Sequence, residues 1–264
     1  MPMSRSIPLT RPFQWLVLAW RDMTRCVGIS LAHGLALALG GGAIVFLLRE
    51  HFWLLAGAIT GFMVVAPVLA TSLYALSRAL ERGEPADAGV VVKTWLNWQG
   101  NHLNKWTPDY WCLVRFGALL AMAGTGWVLT SAALITLLAP VPINGPADFI
   151  QHVVLAPKGF LFELWLAMGG VLAAPIFASS AVTIPLLLDR RLTLTQAVMT
   201  SWEAVLTNPL PMALWAALIM GLTLVGMASA LLGLIVVIPL LGHASWHAYR
   251  DLVDVTGLPE REPQ

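Results

Sequence analysis

The run Pro209-Leu-Pro-Met-Ala-Leu-Trp-Ala-Ala-Leu-Ile-Met-Gly-Leu-Thr-Leu-Val-Gly-Met-Ala-Ser229-Ala-Leu-Leu-Gly-Leu-Ile-Val-Val-Ile-Pro239-Leu-Leu-Gly-His243-Ala-Ser-Trp-His247-Ala-Tyr249 contains no Asp, Glu, Lys or Arg. A helix needs about 20 apolar residues to cross the hydrocarbon core of a bilayer. This run is about twice that length, so it reads as two spans, split near Gly226–Ser229 where Gly-Met-Ala-Ser can turn. Four more runs lie upstream: Cys26 to Leu48, Phe52 to Leu76, about Trp111 to Leu138, and about Phe160 to Leu188. The polar break Arg49-Glu50-His51 separates the first two. In lipid each run must be helical, because an open strand edge leaves backbone groups without partners. The expected fold is therefore all-α, a polytopic membrane protein with six transmembrane helices in three hairpins.

Composition agrees. Of the 264 residues, 58% are hydrophobic and 11% charged, and mean hydropathy is +0.76. A soluble domain carries roughly 25% charged residues, so this chain cannot cover a globule of its size with polar side chains. The net charge of +1 leaves no basic surface, and no nucleic-acid partner is expected. Ala36-Leu37-Ala38 resembles a signal-peptidase site, but the apolar stretch runs past it to Leu48, and the reading is of a retained first span.

Lys and Arg set the orientation. Twelve of the fifteen lie in the N-terminal segment, the connections after the second and fourth spans, and the C-terminal tail; Arg49 and Lys158 lie on the other side, with Arg115 just inside the third span. Both termini are expected in the cytoplasm. Most of the 12 Trp fall near span ends on that same side, among them Trp95, Trp98, Trp202 and Trp246. Indole favours the headgroup level, and these four are read as an interfacial surface. Cys26 and Cys112 fall at inner span ends and read as small apolar helix residues.

The chain repeats itself. Gly61 to Leu80 and Gly233 to Leu252 align without gaps with seven identities in 20 positions, placing Pro67 on Pro239 and Arg78 on Arg250. Residues 12–80 and 191–254 thus read as parallel copies, the outer hairpins of the single membrane domain 1–264, related by an axis along the membrane normal. The middle unit, 81–190, fits more loosely, with Ala174-Pro175 in place of Ala66-Pro67. It contains the outer connection 139–159, where Pro146 to Leu155 is expected to form a short helix lying on the outer bilayer surface with Phe149, Ile150, Val153 and Val154 down, a plug or lid being the alternative. Residues 255–264 are a tail. Each unit opens on an amphipathic helix expected at the inner surface: Phe13 to Met23, Ala86 to Trp98, and Thr193 to Leu206. In the last, Thr193 and Gln196 fit a capping box and Val198, Trp202, Val205 and Leu206 share one apolar face.

Intramembrane polar residues are the candidates for function. They are His33, Arg115, Glu163, and the pair His243 and His247, which share a helix face. Two imidazoles at that spacing can bind a transition metal, but no third ligand stands near them in sequence. The pair reads as structural, with no metal and no cofactor. Pro67, Pro175 and Pro239 each remove a helix hydrogen bond and mark kinks. No nucleophile elbow, Walker loop, zinc-protease or dinucleotide motif occurs.

Gly233 to Leu252 resembles the C-terminal signature of a bacterial family, domain of unknown function 2189. Ile184-Pro-Leu-Leu-Leu-Asp-Arg190, Ala197 to Trp202, Asn208-Pro209, Arg11-Pro12 to Trp20, and Ser77-Arg78 to Gly83-Glu84 carry the same resemblance, which spans roughly Arg11 to Val253. It implies a bacterial inner-membrane protein and no reaction. Ala75 stands where relatives are expected to carry an acid, so no role is built on that position. The functional expectation is a non-catalytic accessory protein, not an enzyme, whose partners are the lipid bilayer and a second membrane protein or a further copy of itself. The alternatives are a small-solute transporter or channel, and a metal- or haem-binding membrane protein.

Overall fold

The computed structural model describes residues 3–96, 112–156 and 159–261. After β1 (Met3–Ser4) come α1 (Arg11–Arg25), α2 (Val27–Leu48), α3 (Phe52–Leu69), α4 (Thr71–Glu81), α5 (Ala88–Leu96) and α6 (Cys112–Leu138). Then follow α7 (Pro146–Phe149), a π-helical turn (Ile150–Val154), α8 (Leu161–Ser180), α9 (Thr183–Asp189) and α10 (Leu194–Thr207). The chain ends with α11 (Pro209–Ala228), α12 (Leu234–Leu252) and β2 (Val253–Asp254). Apart from the two-residue antiparallel pairing of β1 with β2 and a single antiparallel bridge between Arg190 and Glu260, the regular structure among the described residues is helical.

Five stretches are long and apolar enough to cross a membrane: Val27–Leu48, Phe52–Glu81, Cys112–Leu138, Leu161–Asp189 and Pro209–Ala228. At about 1.5 Å per residue, the shortest is about 30 Å long. α12 is not among the five, because its last turns carry His243, His247, Arg250 and Asp251. The long apolar run does break after Ala228. Ser229 Oγ donates to Gly226 O and accepts from Gly233 N, both at 2.8 Å, and Ala230 and Leu231 turn through positive φ of 53° and 69°.

Two spans expected as single helices are bent. The second breaks at Ala70, three residues after Pro67, and Thr71 Oγ1 donates back to Val68 O. The fourth breaks at Ala181–Val182, with Pro185 in the first turn of α9, where a missing N–H does no harm. In both, the segment beyond the bend is far more buried than the one before it: eight of the eleven residues of α4 are buried, and none of α3.

The chain forms two compact units. The first gathers Met1–Leu39, Pro67–Gly117 and Ala178–Gln264. At its heart α12 packs on α4, α4 on α9, and α12 on α9. Each of these carries a further helix: α5 lies on α4, α10 on α9, and α1 on α12. Trp15, Leu73, Leu76, Ile184, Leu187, Trp215, Trp246 and Tyr249 fill the core, with Trp15 edge-on to Trp215 at 5.4 Å. Close helix approach depends on glycine. A Cβ on Gly34 would lie 2.8 Å from Ile235 Cα, and one on Gly242 would lie 2.9 Å from Leu73 Cβ.

The second unit comprises Gly40–Ala66 and Ala118–Phe177. Ile135, Ile143, Val153 and Leu161 form its core, overlaid by Phe52, Trp53, Phe149 and Trp165. The helix expected after Pro146 is present, but its register shifts from α to π at Ile150. Val153 is buried and Phe149 half-buried against the core of this unit, while Ile150 is 49% exposed, so the four residues do not share one environment.

Candidate functional site

In the first unit a line of polar side chains joins four helices. Asp22 comes from α1, Cys26 from the α1–α2 corner, Ser30 from α2, Ser77 from α4, and His243 and His247 from α12. Ser77 Oγ donates to Asp22 Oδ2 at 2.7 Å and lies 2.7 Å from His243 Nδ1. Ser30 Oγ lies 3.0 Å from His243 Nε2, and Cys26 Sγ 3.3 Å from Ser30 Oγ. His247 Nε2 meets Asp22 Oδ2 at 2.9 Å. Ser77 gives its one proton to Asp22, so its bond to His243 must be accepted from an Nδ1–H. That leaves Nε2 of a neutral imidazole free to accept from Ser30, and fixes the tautomer. Asp22, Ser30, Ser77 and His243 are all buried, the last fully. Burial opposes the charge on Asp22, but the hydrogen bonds from His247 and Ser77 outweigh it and hold the carboxyl below its ordinary range.

Beside this line lies a cavity of about 300 Å³, bounded by Leu18, Arg21, Asp22, Arg25, Ser77, Leu80, Glu81, His247 and Arg250.

A second polar centre joins helix ends. The Asp189 carboxylate, 3% exposed, lies 2.9 Å from Arg78 Nε, 3.0 Å from Arg190 Nε and 3.5 Å from Arg82, and accepts from Tyr249 Oη at 2.7 Å. Glu260 bridges Arg82 and Arg190 at 3.0 and 3.2 Å. The tail is thereby docked rather than loose: Arg191 N donates to Pro259 O, Arg261 N to Asp189 O, and Arg78 to Arg261 O. Arg250 pairs with Glu81 at 2.8 Å, and Trp246 Nε1 donates to the same carboxylate at 2.8 Å.

The structure sorts the sequence candidates. His243 and His247 lie in the polar line, and Asp22 is the nearby carboxylate that sequence spacing did not reveal. Among the described residues no three His, Cys, Asp or Glu are placed to share a metal ion. Half-buried His33 returns Nδ1 to Ile29 O in its own helix. Arg115 is exposed at the start of α6. Glu163 is exposed in the first turn of α8, where a carboxylate complements the helix dipole. Trp246 is 2% exposed, so it belongs to the core and not to an interfacial surface; its neighbours Tyr249, Ala244 and Ala248 are buried with it. Trp95 is 39% exposed and donates to Ser72 Oγ, and Trp202 is half-buried and donates to Ser179 Oγ. Trp98, Trp106, Trp111, Lys105 and Lys158 lie outside the described residues. Pro67 is half-buried, Pro175 exposed and Pro239 buried.

The family model described as predicted integral membrane protein (DUF2189) matches residues 54–189, about half the chain. The chain belongs to the DUF2189 family. The DUF2189 match runs from α3 to the end of α9 and holds Ser77, Arg78, Glu81 and Asp189, but not Asp22, His243 or His247. It does not extend to Gly233–Leu252, the segment on which the resemblance in sequence leaned most. No curated protein and no solved structure matches the chain.

Asp22 and Asp189 were the residues missed. The signal for Asp22 was its place on the face of α1 that carries Trp15, Ala19 and Met23, where a lone acid needs a buried partner. Asp189 follows three leucines, and its partners come from α4 and α12, too distant in sequence to be paired by inspection.

Proposed function

We propose that this is a non-catalytic bacterial inner-membrane protein with six spans and both termini in the cytoplasm. In this reading it works by presenting three amphipathic helices to the headgroup layer, where they organise lipid or receive a partner helix. The observation that carries it is the apolar face each helix turns away from the protein. On α1, Trp15, Ala19 and Met23 are buried, while Phe13, Val17 and Trp20 are 49%, 62% and 52% exposed. On α10 the buried residues are Ala197, Thr200, Ser201 and Ala204, and Met199 and Leu206 face outward at 58% and 70%. On α5, Trp95 turns its indole to Ser72, and Val92 and Leu96 face outward at 54% and 65%. A helix with its inward face filled and its outward face apolar suits the interface between water and lipid.

The six-span count is supported by the pairing of Met3–Ser4 with Val253–Asp254. Ends that form one ladder lie on one side of a membrane, which takes an even number of crossings, and α12 is the helix that completes the five. The threefold repeat is supported by equivalent contacts. Arg78, eleven residues after Pro67, grips Asp189, fourteen after Pro175; Arg250, eleven after Pro239, grips Glu81, fourteen after Pro67. Trp95 reaches back 23 residues to Ser72, and Trp202 back 23 to Ser179.

Depth measurement tests the proposal. Nitroxides at Val17→Cys and Leu206→Cys in reconstituted full-length protein are expected to show headgroup depth by collision with oxygen and with an aqueous relaxing agent. Both labels fully exposed to water would defeat the reading. Proton or solute flux in the same vesicles that disappears with Asp22→Asn would replace it with a transporter, for which the Asp22–Ser77–His243–Ser30 line is the supporting feature.

A further inference from the structure

We propose that Arg21 and Arg25, with the cavity beside them, form a binding site for a phosphate-group anion, whether the headgroup of an anionic phospholipid or a free phosphate. Both residues are exposed, lie one helical turn apart on α1, and line the 300 Å³ cavity. Like charges at that spacing repel each other. Arg25, in the last turn, complements the helix dipole, but among the described residues neither side chain has an ion-pair partner. The two carboxylates in the same cavity are already engaged. Asp22 is held by Ser77 and His247, and Glu81 by Arg250 and Trp246. Three guanidinium groups against two carboxylates leave the cavity one positive charge in excess. Paired guanidinium forks match phosphate oxygens bidentately, where an ammonium offers only a point charge. Leu18 and Leu80 give the cavity an apolar side. Phe13, Val17 and Trp20 on the same helix are the exposed residues read above as seated at the lipid surface. Identification of a lipid as the source rests on that reading; the anion site itself does not.

Native mass spectrometry of the full-length protein in mild detergent tests this, with phosphatidylglycerol, phosphatidylethanolamine and inorganic phosphate as probes. Phosphatidylglycerol is expected to bind at least tenfold more tightly than phosphatidylethanolamine. Arg21→Ala with Arg25→Ala should remove that preference, and Arg21→Lys with Arg25→Lys should retain part of it. Arg49→Ala, another exposed arginine, should change nothing. Retention of phosphatidylglycerol against millimolar inorganic phosphate assigns the site to lipid; displacement assigns it to a soluble phosphate, and either supports an anion site. Binding of every probe unchanged in the double alanine variant, or no preference for anionic over zwitterionic lipid, overturns it. If Val17 labels sit in water while phosphate still binds through both arginines, the interfacial reading of α1 fails and the anion site stands.

Discussion

Asp189→Ala is expected to lower stability by about 3–5 kcal/mol, the usual effect of removing one partner of a buried ion pair. The carboxylate is 3% exposed and faces Arg78, Arg82 and Arg190, with Arg250 4.0 Å away and Tyr249 donating to it. Without it, Arg78 and Arg190, each 12% exposed, keep their charge with the nearest compensating carboxylate gone. The tail would keep its main-chain bonds to residues 189 and 191, but Glu260 alone would remain to compensate Arg82 and Arg190. Thermal unfolding in detergent should show the loss as a fall of about 10 °C. Glu50→Ala provides the contrast: its pair with Arg49 is 80% and 62% exposed, and such pairs contribute less than about 1 kcal/mol. Equal melting of Asp189→Ala and Glu50→Ala would mean that the cluster does not hold the helix ends together.

The second large effect is expected at Gly34. The space for a Cβ there is already taken by the backbone of α12, with Ile235 C at 2.6 Å and its carbonyl oxygen nearer still. A backbone atom cannot rotate away as a side chain does, so Gly34→Val must push α2 and α12 apart. Overpacking costs about 1–3 kcal/mol, and more where the obstacle cannot yield. Separating α12 also draws His243 away from Ser30, whose hydroxyl now meets it at 3.0 Å. Monodisperse protein in detergent should be lost or sharply reduced for Gly34→Val. Gly28→Ala, at a position with nothing within 4 Å, should behave as wild type. Equal yield and melting of the two variants would show that α2 and α12 do not cross closely.

Much of the fold was legible because lipid permits so few solutions. Apolar runs of span length had to be helices; doubled length required a break in the last run, and Gly-Met-Ala-Ser placed it near Gly226–Ser229. The capping box of Thr193 and Gln196 forms as its spacing predicted. What escaped reading was tertiary. Bends at Ala70 and at Ala181–Val182 depend on how the segments beyond them are buried, which the positions of Pro67 and Pro175 do not specify. Trp246 near a span end looked interfacial, yet its indole is drawn inward by Glu81 from a helix more than 160 residues away. The His243–His247 pair was visible as two residues on one face, but its meaning came from Asp22, delivered by α1 from the other end of the chain. Apolar periodicity marks which face of a helix avoids water; it does not say whether protein or lipid covers it. On α10 the two faces are distinct, small residues inward and Met199 and Leu206 outward.

The measurement that tests the account most directly is sidedness across α12. Cys26 and Cys112 are buried, so single cysteines can be read against a low background. In intact cells, Leu232→Cys at the exposed α11–α12 turn should react with a membrane-impermeant maleimide, and Thr256→Cys beyond β2 should react only after the inner membrane is opened. Labelling of both positions from the same side would mean that α12 does not cross, and would contradict the six-span, cytoplasmic-ended protein proposed.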